Sequence, residues 1–159
     1  MPDMLVKLYD LPPAEPSIAQ CAAKGVTIRR EMPYEKTIVL EWVERTFHTG
    51  WRDEADAAFA RQPINCFIAT EQGKVVGFAV VDATARGFFG PTGVAESHRN
   101  RGIGRALLLA SLHALAELGH AYGIIGQAEE KARAFYAKAT GATEIPNSDP
   151  SIYRDWLSR

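Results

Sequence analysis

Apolar and polar residues along the first half of this chain follow the period of β-strands. Val26-Thr27-Ile28-Arg29-Arg30 alternates apolar and polar side chains, as a half-buried strand does. Two further apolar runs, 66–70 and 75–81, flank the turn Glu71-Gln72-Gly73-Lys74. Runs of this length on either side of a Gly-containing turn predict a hairpin. The pattern therefore predicts a sheet that begins near residue 26.

The fourth predicted strand, residues 87–94, has an irregular pattern. Gly90-Pro91 and Gly93 interrupt a regular ladder there and favour a bulge or a splay that exposes backbone groups. Helical and strand patterns account for most of the remaining chain. The other predicted elements are helices over 36–47, 53–61, 103–118 and 130–140 and strands over 122–125 and 142–145.

The N-terminal residues show a weaker pattern. Residues 4–9 predict a short strand, and Pro12, Pro13 and Pro16 are expected to interrupt any regular element that follows. We therefore interpret residues 1–25 as an N-terminal extension with a possible extra strand, and residues 26–159 as a single domain. A length of 159 residues with 47% apolar and 23% charged residues is typical of one globular unit.

A basic turn joins the strand that ends at Val94 to the long helical segment, and it reads Arg99-Asn100-Arg101-Gly102-Ile103-Gly104-Arg105-Ala106. The first turn of a helix leaves backbone N–H groups unpaired, and the peptide dipoles add partial positive charge there. Gly102 and Gly104 lack a Cβ, so a ligand can approach the main chain closely. Basic side chains oppose the helix dipole at this end, and a bound anion such as a pyrophosphate accounts for them.

The spacing of the glycines separates three designs of phosphate site. A Walker-type loop needs Gly, four residues and then Gly-Lys-Ser/Thr, and the chain has no such run. A dinucleotide fingerprint needs Gly or Ala where the chain has Leu107, and no well-placed acidic residue follows near Gly126 and Gln127. Arg99-x-x-Gly102-x-Gly104 after a strand ending in Val94 instead resembles the coenzyme A loop of the GNAT acyltransferase superfamily.

The resemblance extends over roughly residues 26–145 in the order of the elements. Its second motif is Tyr136, preceded by Ala132 and followed by Gly141-Ala142. The chain departs from the family pattern at three positions. They are Glu129 in place of a common coenzyme-binding Asn, Asn100 in place of Gly, and Glu96 in place of Pro. Asn enters the left-handed backbone region readily, so the change at position 100 is tolerable.

The resemblance implies an α/β (α+β) fold with a mixed, mostly antiparallel central sheet flanked by helices. It implies an acetyl-CoA-dependent N-acetyltransferase that works by direct attack in a ternary complex, with acetyl-CoA as cosubstrate. The implied coenzyme-binding residues are Val94, Arg99, Asn100, Arg101, Gly102, Ile103, Gly104, Arg105 and Ala106. Tyr136 is implied as the acid that protonates the leaving thiolate, although its helical spacing alone would make it a core aromatic.

The base that takes a proton from the amine has several candidates. Asp82 follows the third predicted strand and is the residue that we select, while a turn-capping role before Ala83 is an equal alternative. Glu31, Glu96 and His98 are further candidates, and a water relay is another. We expect His98 to lie beside the phosphate loop rather than to act as the base.

Charge and cysteine content limit the partners. The net charge of −1 gives no general attraction to nucleic acid or to an anionic membrane, so we expect neither as a partner and take a small-molecule amine as the acceptor. Cys21 and Cys66 make a disulfide framework improbable, and the histidines lack metal-ligand spacing, so we predict no metal. No signal peptide is recognisable at the start, and we expect a cytoplasmic protein.

Two readings from other classes stay open. One is an acyl-CoA-binding or sensing module with weak catalysis, for which Glu129 and Glu96 leave room. The other is a scaffold in which the N-terminal strand pairs across two subunits, and a homodimer is compatible with either reading. Fold-level resemblance alone cannot decide between them.

Overall fold

The computed structural model describes residues 1–158. Within them the chain forms a seven-stranded sheet and five α-helices. The strands are β1 (Met4–Lys7), β2 (Val26–Arg30), β3 (Cys66–Glu71), β4 (Lys74–Val81), β5 (Phe88–Val94), β6 (Tyr122–Ile125) and β7 (Thr143–Glu144). The helices are α1 (Glu15–Ala23), α2 (Lys36–Thr46), α3 (Thr49–Ala57), α4 (Ile103–Glu117) and α5 (Glu130–Thr140).

The sheet is mixed and mostly antiparallel, as the sequence resemblance implied. Its strand order is β2-β3-β4-β5-β6-β1-β7. Every neighbouring pair is antiparallel except β5 and β6, which are parallel. The connection between β5 and β6 contains the helix α4, as a parallel crossover requires.

The N-terminal strand lies inside the sheet. Met4 is paired with Ile125 of β6 on one side and with Glu144 of β7 on the other. The expected extra strand is therefore present, and it is an internal strand with neighbours from its own chain on both sides. β6 pairs with all four residues of β1, and β7 pairs with Met4 and Leu5, so the edge open to the pairing across two subunits considered above is limited to Val6 and Lys7.

The helix α1 was not predicted from the sequence. It begins at Glu15, with Pro16 in its first turn. The N–H groups of the first turn have no intrahelical acceptor, so a proline there removes no hydrogen bond. The expectation that Pro16 interrupts regular structure was therefore wrong, and α1 buries Cys21 against the sheet.

Two apolar clusters cover the two faces of the sheet. On one face α4 is buried along most of its length and packs with α1 and with part of α5. On the other face α2 and α3 pack around Phe78 of β4. The sheet thus has helices on both sides, and the connecting loops lie at the ends of its strands.

The predicted irregularity of the fourth strand of the domain is confirmed in β5. Val81 is paired with Phe89 and Ala79 with Thr92, so β5 contains one residue more than β4 between these pairs. The extra residue lies at Gly90-Pro91. This bulge bends β5 away from its neighbour β6.

Candidate active site

A cleft opens where β5 and β6 diverge. The two strands pair only at Phe88–Ile124 and Phe89–Ile125, and β6 ends there while β5 continues to Val94. A cavity of about 490 Å³ occupies this divergence. Its walls come from β5, from residues 126–129 that follow β6, and from the first turns of α3 and α5.

The backbone of Val94 lies at the open side of β5. Ala95 donates its N–H to the carbonyl oxygen of Val76 in β4. Backbone groups alternate between the two sides of a strand, so the N–H of Val94 faces away from β4. Because β6 has ended at Ile125, this N–H faces the divergence and is available to a ligand carbonyl.

The loop after β5 ends in an uncapped helix start. Gly102 is the N-cap residue of α4, with φ of 81° in the left-handed region, and it provides no side-chain cap. Ala106 donates its N–H to the carbonyl oxygen of Gly102, so the N–H groups of the preceding residues 103–105 lie before the first intrahelical bond. A Cβ at Gly102 would meet no atom within 4 Å, so the space above it is open.

The arginines of this loop differ in their partners. Arg101 lies 3.5 Å from Glu71, and Glu71 also bonds His98 at 2.6 Å. The bond from His98 is the main cause that lowers the pKa of the Glu71 carboxyl. Glu71 therefore ties the loop to the end of β3. Within residues 1–158, Arg99 and Arg105 form no ion pair, so their charges are free to meet an anion.

Tyr136 lines the cavity from α5. Its ring packs edge-on against Phe89 with the centroids 6.2 Å apart. Burial raises the pKa of its hydroxyl to about 12, and the nearby Glu129 carboxylate adds to this effect. The hydroxyl forms no hydrogen bond with other residues of the described part of the chain. A neutral, half-buried phenol with an unused proton is suited to act as an acid.

Glu129 lies at the same wall as Tyr136. It is the N-cap residue of α5, and its carbonyl oxygen accepts the N–H groups of Ala132 and Arg133. Its side chain is exposed and does not cap the helix. The family's common Asn is therefore replaced by a carboxylate that borders the cavity.

Asp82, the base selected from sequence, does not line the cavity. Its carboxylate is buried and holds together the turn after β4. One oxygen accepts the N–H of Gly87 at 2.6 Å and bonds His120 at 3.1 Å, and the other lies 3.1 Å from Arg61. These contacts correspond to the turn-capping alternative.

The other candidate bases also lie elsewhere. Glu31 is buried below β2, beside Cys66. Glu96 and His98 form the 3₁₀ turn before the phosphate loop. None of these three side chains borders the cavity between β5 and β6.

One carboxylate that the sequence analysis did not select does border the cavity. Glu54, in the middle of α3, is half-buried there, and Thr84 donates its hydroxyl hydrogen bond to one carboxylate oxygen. Next to it, His48 caps α3 by accepting the N–H of Trp51 on Nδ1 at 3.3 Å. Glu54 was missed because Asp53, Glu54 and Asp56 together look like a solvated helix face in the sequence.

The C-terminal residues form the outer wall of the cavity. Tyr153 and Trp156 stack with their rings 5.8 Å apart and an interplanar angle of 10°. Tyr153 packs closely on Gly126, where a Cβ would lie 2.8 Å from the tyrosine hydroxyl. Burial raises the pKa of Tyr153 to about 12, with smaller contributions from Glu54 and Asp3.

Residues 1–158 contain neither a metal-binding cluster nor a membrane-spanning helix. No set of three or more His, Cys, Asp and Glu side chains is grouped closely enough to hold a metal ion. No helix in this part of the chain has the length and apolar character needed to cross a membrane.

The mixed sheet, the diverging strands and the uncapped start of α4 are together the architecture of an acyltransferase that the sequence resemblance implied. The chain belongs to the acetyltransferase (GNAT) family, because the sequence model of that family matches residues 36–142. No curated protein matches the chain.

Several solved structures share the fold. One is the GCN5-related glucosamine N-acetyltransferase region of a fungal multi-domain GH3 β-N-acetylglucosaminidase, with a TM-score of 0.72, 17% identity, and coverage of 91% of this chain and 19% of that one. A GCN5-related N-acetyltransferase from Sphaerobacter thermophilus has a TM-score of 0.68 and 24% identity, and the match covers 91% of this chain and 48% of that one. This chain thus spans less than half the length of either protein.

A third similar structure contains a ligand. It is a GNAT family acetyltransferase from Brucella melitensis in complex with acetyl-CoA, with a TM-score of 0.55 and 22% identity. The match covers 69% of this chain and 80% of that one. At these identities the likeness concerns the fold.

Proposed function

We propose that this protein is an acetyl-CoA-dependent N-acetyltransferase that moves an acetyl group to the primary amine of a small molecule by direct attack in a ternary complex. The observation that carries the proposal is the divergence of β5 from β6. The cavity at this divergence is lined by β5 residues 89–92 and by Tyr136, and β5 leads from it through Val94 to the uncapped start of α4.

The start of α4 fits the phosphates of coenzyme A. Three features support this fit: the N–H groups of residues 103–105, the open space above Gly102, and the unpaired charges of Arg99 and Arg105. Backbone donors at a helix start stabilise phosphate oxygens without needing a particular side chain. Arg101, held by Glu71, adds positive charge at the side of the loop. Asn100, with φ of 61°, makes the turn that the family usually makes with Gly.

Val94 and Tyr136 supply the chemistry on the two sides of the divergence. Bound acetyl-CoA supplies a thioester whose carbonyl carbon accepts the amine. The N–H of Val94 then stabilises the negative charge that develops on the carbonyl oxygen. Tyr136 holds its proton at neutral pH, since its pKa is about 12, and donates it to the departing sulfur.

Direct attack is favoured over an acyl-enzyme because neither thiol is suited to be a nucleophile. Cys21 and Cys66 are both buried and free. Burial raises the pKa of both thiols. The rise is larger for Cys66, whose pKa lies well above its usual value, and the neighbouring Glu31 adds to it. A thiol that keeps its proton is a weak nucleophile.

Glu129 favours a second candidate, an acyl-CoA-binding or sensing module with weak catalysis. Its carboxylate borders the cavity beside Tyr136 and is negatively charged, as the coenzyme is. In such a module acetyl-CoA binds but a broad panel of amines gives no turnover. Turnover that is lost in Tyr136→Phe, with coenzyme binding kept, supports the enzyme instead.

The first test is a calorimetric titration with acetyl-CoA. Gly102→Glu puts bulk and negative charge into the proposed phosphate site and should abolish saturable binding. Gly119→Glu is the matched control, because Gly119 also has a positive φ and open space but lies beyond the other end of α4. Absence of binding by the parent protein, or equal loss in both variants, contradicts the proposal.

A cytoplasmic location and a homodimer stay predictions from the sequence. Mass measurement in solution tests the second. The pairing of β1 within its own chain leaves only Val6 and Lys7 of its β7 side open to a partner strand.

A further inference from the structure

We infer that the outer half of the cavity is an acceptor site for a compact cationic amine without a carboxylate. This half is bounded by Glu54, Trp51, Tyr153 and Trp156. Glu54 binds the ammonium there and takes its proton. This inference rests on the proposed acetyltransferase function. It names the substrate class and the base that the sequence analysis left open.

Glu54 is the carboxylate best placed for an incoming amine. It is half-buried on α3 and lines the same cavity as Tyr136 and the β5 residues 89–92. The Thr84 hydroxyl fixes one of its oxygens, and the other has no hydrogen bond within the described residues. A carboxylate held in this way presents a free oxygen to an ammonium, and a charge-assisted hydrogen bond forms there.

His48, the other titratable side chain near the start of α3, is less suited to be the base. Its Nδ1 accepts the N–H of Trp51 as the helix cap, so in the neutral ring the proton lies on Nε2. The lone pair that a base needs is thus used by the backbone. The remaining ring nitrogen, Nε2, is then a donor and not an acceptor.

Aromatic rings form the rest of this half of the cavity. Trp51 borders it from α3, and the stacked pair of Tyr153 and Trp156 borders it from the C-terminal residues. The faces of Trp and Tyr rings attract cations, and they also bury an apolar body. Such walls fit an amine whose remainder is a ring or a short alkyl chain.

The charges at the cavity select against carboxylates. Its border includes Glu54 and Glu129, and no Lys or Arg among the described residues. Met1 also borders the cavity, and its N-terminal ammonium is paired with Asp149 at 3.0 Å. An amino acid would therefore place its α-carboxylate beside two like charges, with His48 as the one basic side chain at the border, and like-charge contact of this kind disfavours a ligand.

The proton balance of the reaction follows from these positions. Glu54 takes one proton from the ammonium, and the free nitrogen adds to the thioester carbonyl carbon. The C–S bond breaks, and the sulfur takes the proton of Tyr136. The second proton lost by the nitrogen restores the Tyr136 hydroxyl, and Glu54 releases the first proton to water. One amide and one thiol form for each thioester and ammonium consumed, with one proton released.

The test compares two pairs of compounds that differ by a single carboxylate: phenethylamine against phenylalanine, and 1,4-diaminobutane against ornithine. Binding is followed by tryptophan fluorescence and calorimetry, with and without saturating coenzyme A. Because Trp51 and Trp156 border the site, their emission reports occupancy without turnover. We expect at least one amine to bind about tenfold or more tightly than its carboxylated partner, a difference of about 1.4 kcal/mol.

Glu54→Gln separates the two roles assigned to Glu54. It should weaken the binding of the amine by about tenfold, and it should lower kcat further at neutral pH, with partial recovery at high pH where the amine is already neutral. Asp53→Asn is the matched control, because Asp53 is an exposed carboxylate on the same helix that does not border the cavity. It should leave both quantities unchanged.

Three outcomes overturn the inference. They are equal or tighter binding of the carboxylated compounds, absence of binding by both amines, and an unchanged pH profile in Glu54→Gln. In each case binding of acetyl-CoA that is lost in Gly102→Glu would still support the acetyltransferase. Loss of acetyl-CoA binding in the parent would instead remove the proposed function itself.

Discussion

The buried carboxylate of Asp82 accepts the backbone N–H of Gly87 at 2.6 Å, and this bond closes the turn between β4 and β5. Asp82 itself has φ of 55°, and its N–H donates to the carbonyl oxygen of Phe88. The turn sets where β5 begins, and thus where β5 leaves β6. The carboxylate stabilises the strand divergence without bordering the cavity.

Asp82→Ala should therefore lower stability more than it lowers catalysis. The change leaves the N–H of Gly87 without its acceptor, and we expect a loss of about 2 to 3 kcal/mol in the free energy of unfolding. Urea unfolding measures this loss, and kcat of the folded variant should stay within about threefold of the parent. Asp53→Ala, at an exposed position, is the control. A stable variant without turnover would return Asp82 to the role of base.

Tyr136→Phe should reduce kcat by about a hundredfold or more, because general acids contribute on this scale. The hydroxyl forms no hydrogen bond within the described residues, so its removal should leave the stability and the Kd for acetyl-CoA unchanged. Steady-state kinetics, calorimetry and thermal unfolding check the three quantities. Tyr34→Phe is the control at an exposed tyrosine. Unchanged kcat would leave Tyr136 with a packing role alone.

The pKa of Tyr136 predicts the alkaline side of the pH profile. Burial, with a smaller effect of Glu129, raises this pKa to about 12, so the acid form persists well above neutral pH. We therefore expect that ionisation of the Tyr136 hydroxyl causes no fall of kcat below about pH 10. Glu129→Gln should lower the pKa of Tyr136. Tyrosinate absorbance during an alkaline titration, taken as the difference from Tyr136→Phe, measures it.

The elements with a clear local signal could be predicted from the sequence. The bounds of β2, β6 and α5 agree with the prediction, and α4 differs by one residue. In each, apolar spacing and the adjoining turn indicate the same element. The bulge at Gly90-Pro91 was predicted for the same reason, because Gly and Pro interrupt a ladder wherever the strand lies in the sheet.

Long-range relationships could not be predicted in this way. The place of β1 between β6 and β7 joins residues more than a hundred positions apart, and no local pattern encodes such pairing. Glu54 looks like part of a solvated helix face until α3 is packed beside β5. Asp82 shows the converse, because a carboxylate at a strand end fits a base or a turn cap until Gly87 is seen bonded to it.

Gly93 of β5 should not tolerate a side chain. A Cβ there would lie 2.3 Å from the Phe47 ring, which packs on the bare backbone. Gly93→Ala should cost about 1 to 3 kcal/mol, as overpacking does, and should displace β5 near Val94. In a Phe47→Leu background the same change should cost less, and chemical unfolding of the four proteins measures the coupling. Equal costs in both backgrounds would contradict the contact.

Glu31 should make stability fall as the pH rises. Its carboxyl is buried beside the Cys66 thiol, and burial raises its pKa from 4.5 to about 7 against the smaller, opposite effect of that thiol. Between pH 4.5 and pH 7 the unfolded chain loses this proton while the folded chain keeps it. The folded state therefore loses stability as the pH rises to about 7, and above that pH the loss of stability is constant. The loss amounts to about 3 kcal/mol.

Glu31→Gln removes this titration. The difference between the unfolding free energies of the parent and the variant should therefore change by about 3 kcal/mol from pH 4.5 to pH 8, with the parent losing stability. Urea unfolding across this range measures the difference, in which all other titrating groups cancel. Glu41→Gln, an exposed carboxylate on α2, should show no such change. A pH-independent difference between parent and Glu31→Gln would mean that Glu31 ionises in the folded protein as it does in the unfolded chain.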